Sequence, residues 1–514
     1  MTKPSLSRRD FLRLGSTLPL GLAGPGLMRA LSQPPSAPGT RQNVIVVVFD
    51  AFSAYNISLY GYGRDTMPHL ARLAERAIVY HNHSAGSNFT TPGTASLLTG
   101  TLPWTHRALG PNHQVDQHFV TRNLFTAFKD YYRLAYTHNG WANTLLRQLE
   151  RQMDQLIPRG DLFLGSYETF IESLFGKDDD IATVSWTRGM KIADEGFAYS
   201  LFLSRLYTVL QQGKVANLQA GFPRGLPSTG SDNAFLLEHA VDWIGDLLTT
   251  IPQPFVGYFH FLPPHHPYRT SVEFLDRFRN DSYEPPAKPE NVFARRRAGE
   301  DPLRDRQEYD EFILYVDREF ARFFSALESS GLLDNTWLVF TSDHGEMFER
   351  GIIGHSTHVL YEPVVRVPLL IFEPGRAQGM EIRVPTSSVD VLPTLAHITG
   401  HAVPEWSDGM ILPPFESSSA DPRRGIYVVR AHNNESRLPL TQASVTLTRA
   451  GYKLHYYFGY QPYGIEDFTR LYDIEADPEE LTDLSDTYKD ITAELLAEVR
   501  SQIKAADRPY TPGA

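Results

Sequence analysis

The sequence predicts an α/β fold: a large doubly wound sheet flanked by helices, followed by a smaller C-terminal α+β domain. Three observations carry that prediction. The apolar run at 43–49 is continuous rather than alternating, so it reads as a strand buried on both faces, and 337–341 reads as another buried strand. Stretches with apolar residues at helical spacing lie between them, and strand alternating with helix is the pattern of a parallel sheet covered on both sides. Beyond about Ser417 the pattern changes to short alternating strands closed by one amphipathic helix.

The chain opens on Ser7-Arg8-Arg9-Asp10-Phe11-Leu12-Arg13, a weakly apolar stretch from Leu14 to Met28 and a Pro/Ser-rich spacer from Gln33 to Thr40. This order is that of a twin-arginine export signal over residues 1–40. It predicts passage through the twin-arginine translocase to the periplasm or another extracytoplasmic site. The apolar run is too short and too interrupted by Gly and Pro for a membrane span.

The catalytic domain is expected over 41–416. Strand 43–49 delivers Asp50 at its carboxyl end, where open α/β sheets place their sites. Pro68, Leu70, Leu73, Ala74 and Ala77 mark a helix, and Ile78 to Tyr80 a short strand. In Asn88-Phe89-Thr90-Thr91-Pro92-Gly93-Thr94, Thr90 is expected on a tight turn, with Thr94 capping the short helix that follows. Helix 120–131 and strand 134–137 continue the alternation. Residues 141–231 lack it and read as an atypical insertion shaping the substrate mouth. Order returns with helix 234–248 and strand 255–261, which runs into the proline-framed loop Pro263-Pro264-His265-His266-Pro267. A polar loop is expected over 269–306, then a long helix with Tyr309, Phe312, Tyr315, Val316, Phe320, Phe323 and Leu327 on one face. Strand 337–341 ends in Ser342-Asp343-His344-Gly345-Glu346, and Gly354-His355-Ser356-Thr357-His358 follows. Strand 367–372 and helix 389–398 complete this part. In the C-terminal α+β subdomain, 417–514, strands are expected at 425–430, 444–448 and 453–457, with a helix carrying Leu495, Leu496, Val499 and Ile503.

Composition narrows the function. The 514 residues are 42% hydrophobic, enough for a large core, and 48 basic against 60 acidic residues argue against a nucleic-acid partner. With no cysteine, disulfides, thiolate metal sites and a cysteine nucleophile are excluded. What remains is a set of oxygen and nitrogen groups at strand ends: Asp50, Asp343, His344 and the Thr90 hydroxyl. Such a set suits one hard or borderline divalent ion, Zn, Mn, Ca or Mg. An ion at Thr90 would lower the hydroxyl's pKa and screen a charged ester.

Several of these segments resemble the sulfatase family of the alkaline phosphatase superfamily, from Asn43 to about Asp486. The resemblance rests on Val48-Phe49-Asp50, the Pro92 to Gly100 turn, Pro264-His265-His266-Pro267, Thr341 to Glu346, Val389 to Leu395, and Leu471 to Glu480. It implies a large mixed sheet flanked by helices, Asp50, Asp343 and His344 as metal ligands, Thr90 as a nucleophile that also meets the metal, and His265 at the ester group. His355 and His358 both remain candidates for the family's further substrate-binding histidine, with His265 or His358 protonating the leaving group. Three departures matter: Ala51 stands for the family's second aspartate, Thr94 for its arginine, and Thr90 for its modified Cys or Ser. Formylglycine is not expected from threonine, and a threonine ester must be opened by attack at phosphorus or sulfur. The resemblance so adjusted implies an exported metal-dependent hydrolase of small anionic esters of lipid or glycan origin, phosphate mono- or diesters ahead of sulfate esters. The alternatives are a transferase passing the group to a lipid or glycan alcohol, and a catalytically silent fold.

Overall fold

In the computed structural model, residues 41–164, 216–229, 234–295, 299–416 and 421–511 are described; the export signal and most of the 141–231 stretch lie outside them. An eight-stranded sheet forms the centre. Its strands are β1 (Asn43–Phe49), β2 (Ile78–Tyr80), β3 (Tyr132–Thr137), β4 (Gln155–Leu156), β5 (Phe255–Phe261), β6 (Thr336–Thr341), β7 (Leu369–Phe372) and β8 (Met380–Ile382), in the order β8-β2-β7-β6-β1-β5-β3-β4. β7 runs antiparallel to both its neighbours and the other pairings are parallel, so the sheet is mixed, as expected.

β1 explains why the sheet is covered twice. Ile45, Val47 and Phe49 point into one core, with helices α4 (Leu237–Leu248) and α5 (Pro302–Ser329). Val44, Val46 and Val48 point into the other, with α2 (Thr90–Thr99), α3 (Gly140–Leu149) and α6 (Val391–Ile398). A strand apolar at every position can sit only in such a sandwich. Helix α1 (Pro68–Ala74) packs on the α5 side. A second, antiparallel sheet of four strands, β9 (Ile426–Arg430), β10 (Ala443–Arg449), β11 (Tyr452–Phe458) and β12 (Phe468–Asp473), carries helix α7 (Lys489–Asp507). Leu495 and Val499 of α7 share a core with Val445, Leu454 and Trp104.

Several boundaries differ from the sequence expectation. The helix expected over 120–131 shrinks to one turn, Leu124–Ala127, because the Asn123 side chain accepts from the amides of Phe125 and Thr126 and caps a new start inside the run. The loop expected to reach Arg306 ends at Asp301, whose carboxylate caps α5 with Pro302 in first position. α4 starts at Leu237 rather than Ala234, and helical turn Ser388–Asp390 precedes α6 as a tighter 3-10 segment. Residues at the beginning of the irregular 141–231 stretch join the regular layers, as α3 on the sheet and β4 on its edge. The strand is only two residues long, too short for periodicity to register.

Candidate active site

Four adjacent parallel strands, in the order β6-β1-β5-β3, bring their carboxyl ends to one place. β1 delivers Asp50, β6 delivers Asp343 and His344, β5 carries His260 and leads to His265, and β3 leads to Asn139. Thr90 comes from α2. The expected tight turn is instead the first residue of that helix: Phe89 is extended at the cap position, and Thr94 is not a cap but lies inside the helix, 3.5 Å from His260 Nδ1. Pro92 in the first turn costs no hydrogen bond there, which is why the helix can begin early. Gly93 lets the helix approach: a Cβ at that position would stand 2.3 Å from the Asp343 carbonyl oxygen.

The turn after β1 is drawn tight. Ala51 has φ 59, a left-handed conformation uncommon outside glycine. Its amide donates to Asp343 Oδ1 at 3.4 Å, and its carbonyl accepts from the Tyr309 hydroxyl at 2.7 Å. Ser342 Oγ donates to the Phe49 carbonyl at 2.6 Å, tying the ends of β1 and β6 together.

At the centre, acceptors face one another. His344 Nδ1 lies 2.9 Å from the Gly345 carbonyl, which can only accept, so the ring proton sits on Nδ1 and Nε2 presents a bare lone pair. That lone pair is 3.4 Å from Asp50 Oδ1, 3.6 Å from Asp343 Oδ2 and 3.3 Å from Thr90 Oγ1. Asp50, Asp343 and His344 offer ligand atoms within 4.8 Å of one another, and all three are fully buried. Asp50 Oδ1 and Asp343 Oδ2 have no hydrogen-bond partner. Buried polar atoms are rarely left so, and two carboxylate oxygens and an imidazole lone pair turned on each other fit a divalent cation.

Electrostatics agree. Burial would raise the Asp50 carboxyl, but His265, His260 and His344 hold it well below the usual carboxylate range. Burial and the Asp50 charge push Asp343 upward. Burial lowers His344, keeping it neutral as ligation requires.

Sequence reasoning missed Asn139, His260 and the placement of Glu346. Asn139 Nδ2 donates to Asp50 Oδ2 and lies 3.4 Å from Thr90 Oγ1, while its Oδ1 caps α3 by accepting from Trp141 N at 2.7 Å. The strand was read to its last residue, Thr137, but Asn139 lies two residues beyond it, past the position at which Asp50 follows β1. His260 is fully buried, with Nε2 3.5 Å from Asp50 Oδ2 and 3.7 Å from Asp343 Oδ2 and no hydrogen-bond partner. A lone imidazole within an otherwise apolar, doubly buried strand was the available signal.

The three expected substrate histidines separate. His265 and His355 line a cleft of about 970 Å³ together with Phe89, Thr90 and Glu346. The His355 ring centre is 4.2 Å from that of His344 and 4.9 Å from that of His265. Its Nδ1 lies 3.1 Å from Glu346 Oε1, and burial pushes the Glu346 carboxyl up to about 7 and His355 down to about 3. Asn88, two residues before Thr90, holds the loop by donating to the carbonyls of His355 at 3.1 Å and Thr357 at 3.0 Å. His358 goes elsewhere. Its ring packs on Phe293, Tyr460 and Tyr463, and its carbonyl accepts from Ser444 Oγ at 2.5 Å, so it is not brought to the cleft around Thr90 as expected. Two residues of spacing past the His355 anchor turn it toward the C-terminal sheet.

The chain is similar to known proteins over most of its length. The Sulfatase family model matches residues 42–401, and the model described as N-sulphoglucosamine sulphohydrolase, C-terminal, matches residues 354–506. A choline-sulfatase of Rhizobium meliloti (strain 1021) is 33% identical over 191 residues, an alignment spanning 36% of this chain and 34% of the relative. The multifunctional alkaline phosphatase superfamily protein PehA of Trinickia caryophylli is 25% identical over 508 residues, covering 87% of this chain and 91% of the relative. Among solved structures, the phosphonate monoester hydrolase of Agrobacterium radiobacter superposes with a TM-score of 0.63 at 19% identity, over 90% of this chain and 96% of that one.

Proposed function

The chain belongs to the sulfatase family of the alkaline phosphatase superfamily, and from that premise we propose an exported, divalent-metal-dependent hydrolase of phosphoric esters acting through a covalent Thr90 intermediate, with sulfate esters as poorer substrates. The observation that carries the reading is the convergence of Asp50 Oδ1, Asp343 Oδ2 and His344 Nε2 on the hydroxyl of Thr90. Asp50, Asp343, His344 and Thr90 would hold the ion, which supplies positive charge that acidifies the hydroxyl and neutralises the ester.

The chain's own groups do the rest. Asn139 Nδ2, 3.4 Å from Thr90 Oγ1, orients the nucleophile. Thr90 Oγ bonds to phosphorus as the ester P–O bond breaks. The departing alkoxide takes a proton from an imidazole at the cleft wall, and His265 is placed for this: its Nδ1 is engaged by the His266 carbonyl, leaving Nε2 for the proton. Glu346 holds His355 by Nδ1 beside it. Water then attacks phosphorus and Thr90 Oγ leaves. Threonine suits phosphoryl transfer because its ester must be opened at phosphorus, whereas a formylglycine hydrate expels sulfate by collapsing to an aldehyde.

The test is to incubate metal-loaded protein with matched aryl phosphate, phosphodiester and sulfate substrates, then quench and locate any adduct by mass spectrometry. A phosphoryl group on Thr90 is expected; an adduct on Thr91 or Ser96, or turnover of sulfate alone, overturns the reading. Export is tested separately: with Arg8 and Arg9 both replaced by Lys, the precursor should stay in the cytoplasm, and unchanged export ends the twin-arginine assignment. Among the described residues no helix is long and apolar enough to cross a membrane.

A further inference from the structure

Five arginines are buried among the described residues, and one departs from the rule the other four keep. Arg64 meets Asp310 at 2.8 Å, Arg107 meets Asp507 at 3.2 Å, and Arg306 and Arg350 each have a Glu349 oxygen at 3.7 Å. Arg430, the last residue of β9, is 5% accessible and has no carboxylate partner among the described residues. Its Nη1 donates to the Tyr460 hydroxyl at 3.2 Å, and its buried Nε has no partner. Burial lowers the guanidinium below its usual range, and among the described residues only Tyr460 and Tyr463 oppose this. A buried cation without a counter-charge is costly.

Two imidazoles share its surroundings. His358, turned away from the cleft, packs its ring on Phe293, Tyr460 and Tyr463 with centroids 5.0, 5.1 and 5.4 Å away, and its Nδ1 is buried without a partner. His432, two residues past Arg430, leaves Nε2 in the same condition. Burial lowers the pKa of both, and the Arg430 charge lowers each further. A relay fixes the arrangement: Arg430 donates to the Tyr460 hydroxyl, which is 2.8 Å from Ser444 Oγ, and Ser444 Oγ donates to the His358 carbonyl at 2.5 Å. Because a guanidinium only donates and a carbonyl only accepts, both hydroxyl protons are committed within the relay. Arg430 Nε, His358 Nδ1 and His432 Nε2 are left over. The cluster reaches solvent at Tyr463, 42% exposed, with Arg295 5.5 Å above that ring. On the inner side His432 meets Phe89 edge-on at 4.8 Å, and Phe89 lines the catalytic cleft.

We propose that Arg430, His358 and His432 form a binding site for one anionic oxygen group, a phosphate, sulfate or carboxylate, separate from the metal centre and one aromatic ring away from the cleft. The metal centre gathers acceptors that lack a cation; this cluster gathers a guanidinium and two imidazoles that lack an anion. An oxyanion matches a guanidinium in charge and in hydrogen-bond geometry, and it would supply the missing counter-charge. The group has two possible sources, a free anion from solution or a second charged group on the molecule held in the cleft.

The experiment is calorimetric titration of inorganic phosphate into the full chain carrying Asp343→Asn, which takes the metal centre out of the measurement, at constant ionic strength. Saturable one-to-one binding is expected. Adding Arg430→Met should weaken it by at least about tenfold, the loss of a charge-assisted hydrogen bond. Adding His358→Phe instead, which keeps the ring among Phe293, Tyr460 and Tyr463 but removes both nitrogens, should weaken it by about threefold or more. Absence of saturable binding in the Asp343→Asn protein, or unchanged binding in folded Arg430→Met or His358→Phe protein, overturns the site. Metal-loaded Thr90→Ala protein then separates the sources. Glucose 1,6-bisphosphate binding at least about tenfold tighter than glucose 6-phosphate, with the gain lost on Arg430→Met, assigns the anion to the molecule in the cleft; equal binding of the two assigns it to a free anion. Neither titration needs turnover, so the site and the phosphoric-ester reading stand or fall separately.

Discussion

Among the described residues, two of the buried clusters of charged side chains are built on opposite rules. In one, at the carboxyl ends of β1, β5 and β6, Asp50, Asp343, His260 and His344 are wholly inaccessible, and Asp50 Oδ1, Asp343 Oδ2 and His260 Nε2 find no partner. In the other, Lys453 of β11 reaches Glu362 at 2.6 Å and Glu480 at 3.1 Å, and Glu480 also meets His455 at 2.8 Å and the Glu362 amide at 2.8 Å. No side-chain atom of that second cluster is left without a partner. Burying a charge is costly unless geometry and partners compensate it. The second cluster meets that condition from within the chain and ties strand β11 to the segments at Glu362 and Glu480. The first does not, so its compensation has to come from a ligand. Burial alone does not mark the functional site; among the described residues, buried carboxylate oxygens left without a partner do.

The sharpest way to break the contrast is at the nucleophile. Thr90→Ala should cost at least about 10⁴-fold in kcat/KM, while Thr91→Ala should cost about tenfold or less, both with unfolding midpoints near wild type. Thr91 Oγ1 is also buried and unpartnered, so the pair separates catalytic use from mere lack of a partner. A fully active Thr90→Ala protein would remove the first cluster's chemical meaning. The next largest effect falls on the second cluster. Glu480→Gln leaves the Lys453 charge partly uncompensated and should destabilise the fold by about 3–5 kcal/mol in urea unfolding, with kcat of the remaining folded protein unchanged. A loss below about 1 kcal/mol would show that the cluster does not hold the C-terminal sheet in place.

A ligand should stabilise the first cluster and leave the second alone. A divalent ion at 100 times its dissociation constant adds about 2.7 kcal/mol to stability by mass action. Asp343→Asn should abolish that gain, and Glu480→Gln should keep it. Equal gains in wild type and Asp343→Asn, read from unfolding midpoints with and without the ion, would place the ion elsewhere.

The contrast also explains what the sequence could disclose. Asp50, Asp343 and His344 were legible because each ends a continuous apolar run, and the sheet's pattern of buried strands dictates where such ends meet. Thr90 was legible as a residue but not as a helix start, since Pro92 reads as a turn signal unless its place in the first helical turn is known. His260 sat unnoticed inside an apolar run. Asn139 lay beyond a strand that ended at Thr137, and the fate of His355 and His358 depended on the Asn88 side chain, which bonds across more than 250 residues of chain. The second cluster was not legible at all: Lys453, Glu362 and Glu480 are ordinary charged residues in sequence, and only long-range packing makes them partners.

The smallest effect, and the finest test of the contrast, is a slope with pH. Burial by itself would raise the Glu480 carboxyl, but Lys453 and His455 more than reverse this and hold it at about 2, below its ordinary 4.5. A carboxyl depressed in the folded state contributes stability that is fully present above its unfolded value and is lost as pH falls through the folded one. Burial opposes the charge on Lys453 too, yet Glu362 and Glu480 raise its pKa above the ordinary 10.5, so its contribution is lost only on the alkaline side, as pH climbs past that value. Between the ordinary imidazole value of 6.5 and the alkaline limit the cluster should give no slope, and below 6.5 wild type and variant alike lose some stability because burial keeps His455 neutral in the fold. Below pH 4.5 the Glu480 contribution should fall by at most about 1.4 kcal/mol per pH unit. Other carboxylates titrate in the same window, so the quantity to measure is the difference in unfolding free energy between wild type and Glu480→Gln, taken with the divalent ion present to keep the first cluster compensated. That difference should be constant from pH 6 to 9 and shrink steadily from pH 4.5 toward 3. A difference that stays constant down to pH 3 would mean that Glu480 is not held ionised by Lys453 and His455, and the second cluster would lose its claim to be the fully paired one.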